Sequence, residues 1–160
     1  MQRLVDTTRF PLLSLGSRTG RAFLEAVRND LRTHGCAVLP GFLRPEAVRE
    51  GVAECARSRA AGAVFAKARH HNVYMSAPDP RLPAEHPAHI LQRRTQGYIA
   101  FDQLEPSSIF RTLYESEALT NFVCEATERQ LYRSADPIAC APISVMEPGE
   151  CFPWHFDETT

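Results

Sequence analysis

Long apolar runs are missing from these 160 residues, so no membrane span is expected. Residues Met1 to Arg9 lack the apolar stretch of a signal peptide. Lysine is nearly absent: Lys67 stands alone among arginines, which reads as coding bias without mechanistic weight. A dominant charge is lacking too. The net value of -1 makes neither nucleic acid nor an anionic membrane a favoured partner. Cysteines occur at 36, 55, 124, 140 and 151, odd in number and without CxxC spacing. That pattern argues for reduced thiols in a cytoplasmic protein rather than a disulfide framework. Repeats and low-complexity tracts are absent. What is present is an ordinary globular composition, 44% hydrophobic and 23% charged, at the length of one domain.

Residues 1–17 have no clear periodicity and are expected to form an irregular N-terminal arm. From Ser17 or Thr19 to His34 the pattern is helical, with Phe23, Leu24, Val27 and Leu31 on one face and Gly35 as terminator. Cys36–Leu39 is expected to be a short buried strand. Pro45 opens a second helix with an apolar stripe of Ala47, Val48, Val52, Cys55 and Ala56, fading near Gly62. Residues 63–66 are ambiguous, and 72–75 look like a strand. The proline-rich stretch 76–89 is a loop. Residues 95–101 have strand propensity, Pro106-Ser107 opens a third helix, and a fourth runs to about Leu131. Residues 142–147 read as a strand, Glu147-Pro148-Gly149-Glu150 as a type II turn, and Cys151–Asp157 as the returning strand. No heptad pattern indicates an oligomeric state.

The chemistry is concentrated in that last strand. Period-two alternation places His155 and Asp157 on one face and Phe152, Trp154 and Phe156 on the other, an aromatic face suited to a core. His-x-Asp on a strand is half of the two-histidine, one-carboxylate triad that binds Fe(II) and leaves open positions for cosubstrate and oxygen. The plainer alternative is an exposed hairpin end with an ordinary ion pair. His70, His71, His86 and His89 are the histidines to weigh for completing the site, most of them in polar loops where solvated histidines are common. Arg93 and Arg94 are candidates for a carboxylate clamp, or else a solvated basic pair. The cysteines read as core residues.

The segment Val145-Met-Glu-Pro-Gly-Glu-Cys-Phe-Pro-Trp-His-Phe-Asp157 resembles the region of Fe(II)/2-oxoglutarate-dependent oxygenases that delivers the first two iron ligands. Leu39-Pro-Gly-Phe-Leu43, His71-Asn-Val-Tyr74, Arg94-Thr95, Leu113-Tyr114 and Leu131-Tyr-Arg-Ser-Ala-Asp-Pro137 fall in the order seen in the branch containing free amino acid halogenases and their hydroxylase relatives. The resemblance implies an α+β fold with N-terminal helices packed on a double-stranded β-helix core (a jelly roll, cupin-like), residues 18–160 being the N-terminal part of that single domain. It implies Fe(II), held by His155 and Asp157, with 2-oxoglutarate as cosubstrate near Ser144 and Trp154. Arg94, His71, Asn72 and Tyr74 would contact a small amino-acid-like substrate, though the last three equally fit a strand of mixed exposure. Oxygen and 2-oxoglutarate would give succinate, carbon dioxide and a hydroxylated product. The halogenases replace the carboxylate ligand by a small residue, so Asp157 points to hydroxylation. The family's second histidine and its 2-oxoglutarate-gripping basic residue lie tens of residues beyond the motif, whereas three residues follow Asp157 here. The expectation is therefore a truncated chain with poor iron affinity and no turnover of its own. The alternative is a non-enzymatic binding or interaction module.

Overall fold

The computed structural model describes residues 1–66 and 68–156. Helix α1 (Arg18–His34) starts and stops where its capping chemistry dictates. The Ser17 hydroxyl accepts the Gly20 N–H at 3.0 Å, and Gly35 closes the helix in the left-handed region at φ 72°. Leu24 and Val27 are buried, with Phe23 and Leu31 packed beside them.

Helix α2 (Pro45–Ala60) forms as expected, with proline in its first turn. Its buried face differs from the expected stripe. Ala47, Gly51 and Glu54 point inward, while Val48 and Val52 are exposed. The cause is close approach: a Cβ added at Gly51 would meet Ile109 Cδ1 at 2.8 Å, so only a small residue fits there.

Helices α3 (Ile109–Tyr114) and α4 (Glu117–Thr127) are capped by Ser108 and Ser116. The fourth helix stops short of Leu131 because Glu128 turns left-handed at φ 55°.

One core joins α1, α2, α3 and α4 to residues 1–17. That segment is largely irregular, with a turn of 3-10 helix at Leu12–Ser14, yet Leu4, Val5, Phe10 and Leu12 from it are all buried. Val5 bridges Leu43, and Phe10 meets Phe23 and Phe42 ring to ring. Cys36–Leu39, expected to be a buried strand, is no strand. Ala37 and Leu39 pack on the core while Cys36 and Val38 face solvent.

A second core of Ile99, Phe101 and Leu104 lies under a three-stranded antiparallel sheet. Its strands are β1 (Phe65–Ala66), β4 (Gly97–Ile99) and β5 (Ile143–Val145), in the order β1-β4-β5, with Tyr98 opposite both Phe65 and Ser144. Strands β2 (Arg69–His71) and β3 (Gln92–Arg94) form a separate antiparallel pair, His71 opposite Gln92. The class is α+β, helices together with two small antiparallel sheets.

Two further expectations fail. Asn72–Met75 is a turn, pulled out of strand conformation by the fully buried Asn72, whose Oδ1 accepts the Tyr74 N–H at 3.0 Å. The Pro-Gly turn forms, with Glu150 N–H donating to Glu147 O and Gly149 at φ 87°, but the segment after it is not the expected strand up to Phe156. Pro153 has no N–H to give a ladder. No helix among the described residues is long and apolar enough to cross a membrane.

Candidate functional site

The segment 151–156 returns across the ends of both sheets and is moored at two points. Thr95 N–H donates to Cys151 O at 3.1 Å and Cys151 N–H to Thr95 Oγ1 at 3.0 Å. Further on, Phe156 N–H donates to Val73 O at 2.7 Å. Between these points Phe152 and His155 turn toward β2 and β3.

Phe152 is the platform. The Arg94 guanidinium lies 4.0 Å from its ring centre, a cation–π contact, and the His155 imidazole stacks on it at 4.1 Å. Arg94 also donates to Gln96 Oε1 at 2.9 Å, and Gln96 Nε2 donates to Ser144 Oγ at 2.5 Å. Gln96 is buried, so this relay fixes the guanidinium from within. Among the described residues no carboxylate pairs with Arg94, which leaves its charge compensated by rings and an amide. Such a group suits an incoming carboxylate.

His71 joins the cluster from the end of β2. Its ring meets His155 edge-on at 6.2 Å and Phe152 at 6.0 Å. Its Nδ1 donates to Asn72 O at 2.8 Å, since a carbonyl only accepts, and its Nε2 is buried without a hydrogen-bond partner. His155 likewise donates Nδ1–H to a carbonyl, Pro153 O, at 2.9 Å. Asn72 is anchored by Nδ2 to Ser76 O at 2.9 Å and Ala88 O at 2.7 Å, so it fixes the long β2–β3 connection. Tyr74 stacks between His86 at 5.9 Å and Phe156 at 5.7 Å.

Two open clefts of about 380 and 390 Å³ flank His155, one toward Tyr74 and one toward Phe152, with Trp154 on the rim of both. The expected aromatic core face does not exist. Trp154 is 91% exposed and Phe156 66%, because without a ladder the side chains need not alternate between core and solvent. Asp157, the expected second ligand, lies outside the described residues. Among the described residues no three His, Cys, Asp or Glu side chains come together to hold a metal ion. Of the other sequence candidates, Arg93 and His70 are exposed, and His86 accepts the Ala88 N–H in its own loop.

His71, Arg94, Ser144 and His155 are therefore gathered into one cluster, with Asn72 and Tyr74 behind it. Sequence reasoning missed Phe152 as the platform and Gln96 as the relay. A polar residue between strand-forming Thr95 and Gly97-Tyr98-Ile99 is the one signal that pointed to Gln96. No family model, curated protein or solved structure matches this chain.

Proposed function

We propose that this chain carries part of the site of an Fe(II)- and 2-oxoglutarate-dependent dioxygenase that hydroxylates a small amino-acid-like molecule. The observation that carries the reading is His155: its Nδ1–H is tied to a backbone carbonyl, the arrangement that orients a metal-ligating imidazole, and it sits beside the Arg94 guanidinium, which no carboxylate among the described residues pairs with. As donors, an imidazole and the Asp157 carboxylate two residues on suit Fe(II) and fill two of the three protein positions of a facial triad. No described residue is assigned as the third ligand or as the 2-oxoglutarate-gripping base, and the two small sheets would belong to a double-stranded β-helix.

Bound iron would supply the oxygen chemistry that couples oxidation of 2-oxoglutarate to succinate and carbon dioxide with hydroxylation of a C–H bond. The chain's own residues would do the rest. Arg94 would bind the substrate carboxylate. The Ser144 hydroxyl accepts from Gln96 and so keeps its own proton to donate to a cosubstrate oxygen. His71 and Tyr74 would form the wall, with Asn72 supporting it from behind, and Trp154 would cover the rim.

The test is to incubate the protein of the complete reading frame with Fe(II), 2-oxoglutarate, oxygen, chloride and a panel of free amino acids. Succinate should form together with a product heavier by one oxygen. A chlorinated product would overturn the hydroxylase assignment, and no amino-acid-dependent succinate would overturn the enzyme. A second reading, a binding module without catalysis, is favoured by the exposure of Trp154 and Phe156 on the cleft rims.

A further inference from the structure

We infer that the cleft between Tyr74 and His155 receives an uncharged apolar side chain, so that the amino acid taken by this site is aliphatic or aromatic and neither acidic nor basic. The inference rests on the reading proposed above, in which Arg94 and His155 serve an amino acid substrate, and adds the class of its side chain.

The lining makes the first argument. The cleft of about 380 Å³ is walled by Val73, Tyr74, Pro87, Trp154, His155 and Phe156. None of these is a carboxylate, an ammonium or a guanidinium. The backbone adds little. Val73 O already accepts the Phe156 N–H at 2.7 Å, Pro87 O accepts the Ile90 N–H at 3.1 Å, and proline has no N–H to offer. A charged side chain entering there loses water and meets no opposite charge, which is unfavourable. A hydrocarbon side chain covers apolar surface and is favoured.

Ring geometry makes the second. Ammonium groups bind over aromatic faces. Tyr74, however, stacks between His86 and Phe156, with planes 24° and 14° from parallel. Its faces are taken, and what remains for an occupant is its edge, the positive part of the ring quadrupole. That edge suits a hydrocarbon better than a cation.

Continuity with the rest of the site makes the third. His155 and Trp154 wall this cleft and also the one toward Phe152, whose ring carries the Arg94 guanidinium. The shared walls lead from the carboxylate clamp past the proposed ligand to the apolar cleft. An amino acid held by its carboxylate at Arg94 reaches the Tyr74 side with its side chain, and there it withdraws exposed Trp154 and Phe156 surface from water.

Trp154 is the only tryptophan in the chain, so its fluorescence reports on the cleft directly. The experiment is titration of the full chain with alanine, norvaline, norleucine, lysine and glutamate while Trp154 emission is followed. A saturable blue shift is expected, with affinity rising by up to about fourfold for each added methylene from alanine to norleucine. Lysine and glutamate should bind at least about tenfold more weakly than norleucine. Val73 walls this cleft and not the other, so Val73→Asp should bring lysine level with norleucine or ahead of it. Equal affinities from alanine to norleucine, lysine or glutamate matching norleucine, or no response to any of the five overturns the inference. So does unchanged selectivity in a folded Val73→Asp chain; should that variant fail to fold, the native series decides alone. Preferential norleucine binding without succinate from the complete protein upholds the side-chain class and overturns the enzyme. Succinate driven by lysine or glutamate ahead of norleucine does the reverse.

Discussion

Phe152 stacks on His155 with ring centroids 4.1 Å apart and planes 21° from parallel. Because the same ring also carries the Arg94 guanidinium at 4.0 Å, one side chain couples the candidate ligand to the candidate carboxylate clamp. Phe152→Leu keeps the apolar volume and removes the π system. The expected result is a loss of about 0.5–2 kcal/mol in chemical denaturation. It should also shift the His155 ring protons downfield as the aromatic shielding disappears. An unaltered His155 spectrum would contradict this coupling.

Asn72 makes three hydrogen bonds while wholly removed from solvent. Asn72→Ala strands the Ser76 and Ala88 carbonyls and the Tyr74 N–H, and is expected to cost about 2–4 kcal/mol. Asn72→Asp should cost more, because a carboxylate oxygen would face two carbonyls in place of a donor. Urea titration of the two variants checks the order; equal stabilities would refute it.

Glycine packing gives a prediction opposed to helix propensity. Alanine is preferred over glycine in a helix by about 1 kcal/mol. At Gly20, however, an added Cβ would lie 2.3 Å from Ser14 O and 2.6 Å from Leu15 Cα, both backbone atoms. At Gly51 it would lie 2.8 Å from the terminal Cδ1 of Ile109, which is able to rotate away. Gly20→Ala is expected to destabilise by about 3 kcal/mol and Gly51→Ala by about 1–2 kcal/mol. Thermal unfolding that ranks them the other way would show that the α1 start yields more easily than the α2–α3 contact.

The sequence was most legible where local chemistry decides. Ser17, Gly35 and Pro45 mark helix ends through their own backbone or hydroxyl groups, and Pro148-Gly149 encodes its turn in the same way. The readings that failed depend on partners distant in sequence. Ala37 and Leu39 look like half a strand, but whether a ladder exists depends on neighbours. Asn72 breaks an apparent strand because Ala88 supplies a carbonyl sixteen positions on. Val52 looks like the better core residue until Ile109 and Phe110 are seen to require Gly51. At the site, His155 stood out by its motif, whereas Phe152 was read as core. Its contacts with Arg94 and His71 are tertiary.

Acid sensitivity is expected in the turn that leads into β5. Asp136 accepts the Ala139 N–H at 3.0 Å and the Ile138 N–H at 2.8 Å, and these bonds hold its carboxyl below the usual range. A carboxyl lowered in the folded state stabilises above its unfolded value, about 3.9, and that contribution disappears as pH falls through the folded value. Amide hydrogen exchange of Ile138 and Ala139 should therefore accelerate below about pH 4, beyond its intrinsic pH dependence. Asp136→Asn, whose oxygen still accepts, should abolish that acid step. An identical acid step in the variant would assign it to another group.

Gln96 offers a way to separate the charge of Arg94 from its packing. The side chain accepts from Arg94 and donates to Ser144, spanning the gap between β3 and β5 from a buried position. Gln96→Leu removes both bonds and leaves Arg94 and Ser144 without their partner, an expected cost of about 1–3 kcal/mol. Gln96→Glu is different. The carboxylate accepts a charge-assisted bond from Arg94, and the Ser144 hydroxyl rotates to donate to its second oxygen. Stability should thus stay within about 1 kcal/mol of the native chain, since both contacts persist in altered form. The guanidinium, now neutralised inside the chain, should lose its attraction for an external carboxylate. If Arg94 serves as the substrate clamp, Gln96→Glu in the complete protein should raise the amino acid KM at least about tenfold with a smaller change in kcat, the pattern for loss of uniform binding. An unchanged KM in a well-folded Gln96→Glu variant would remove Arg94 from that role and leave it as a structural partner of Phe152.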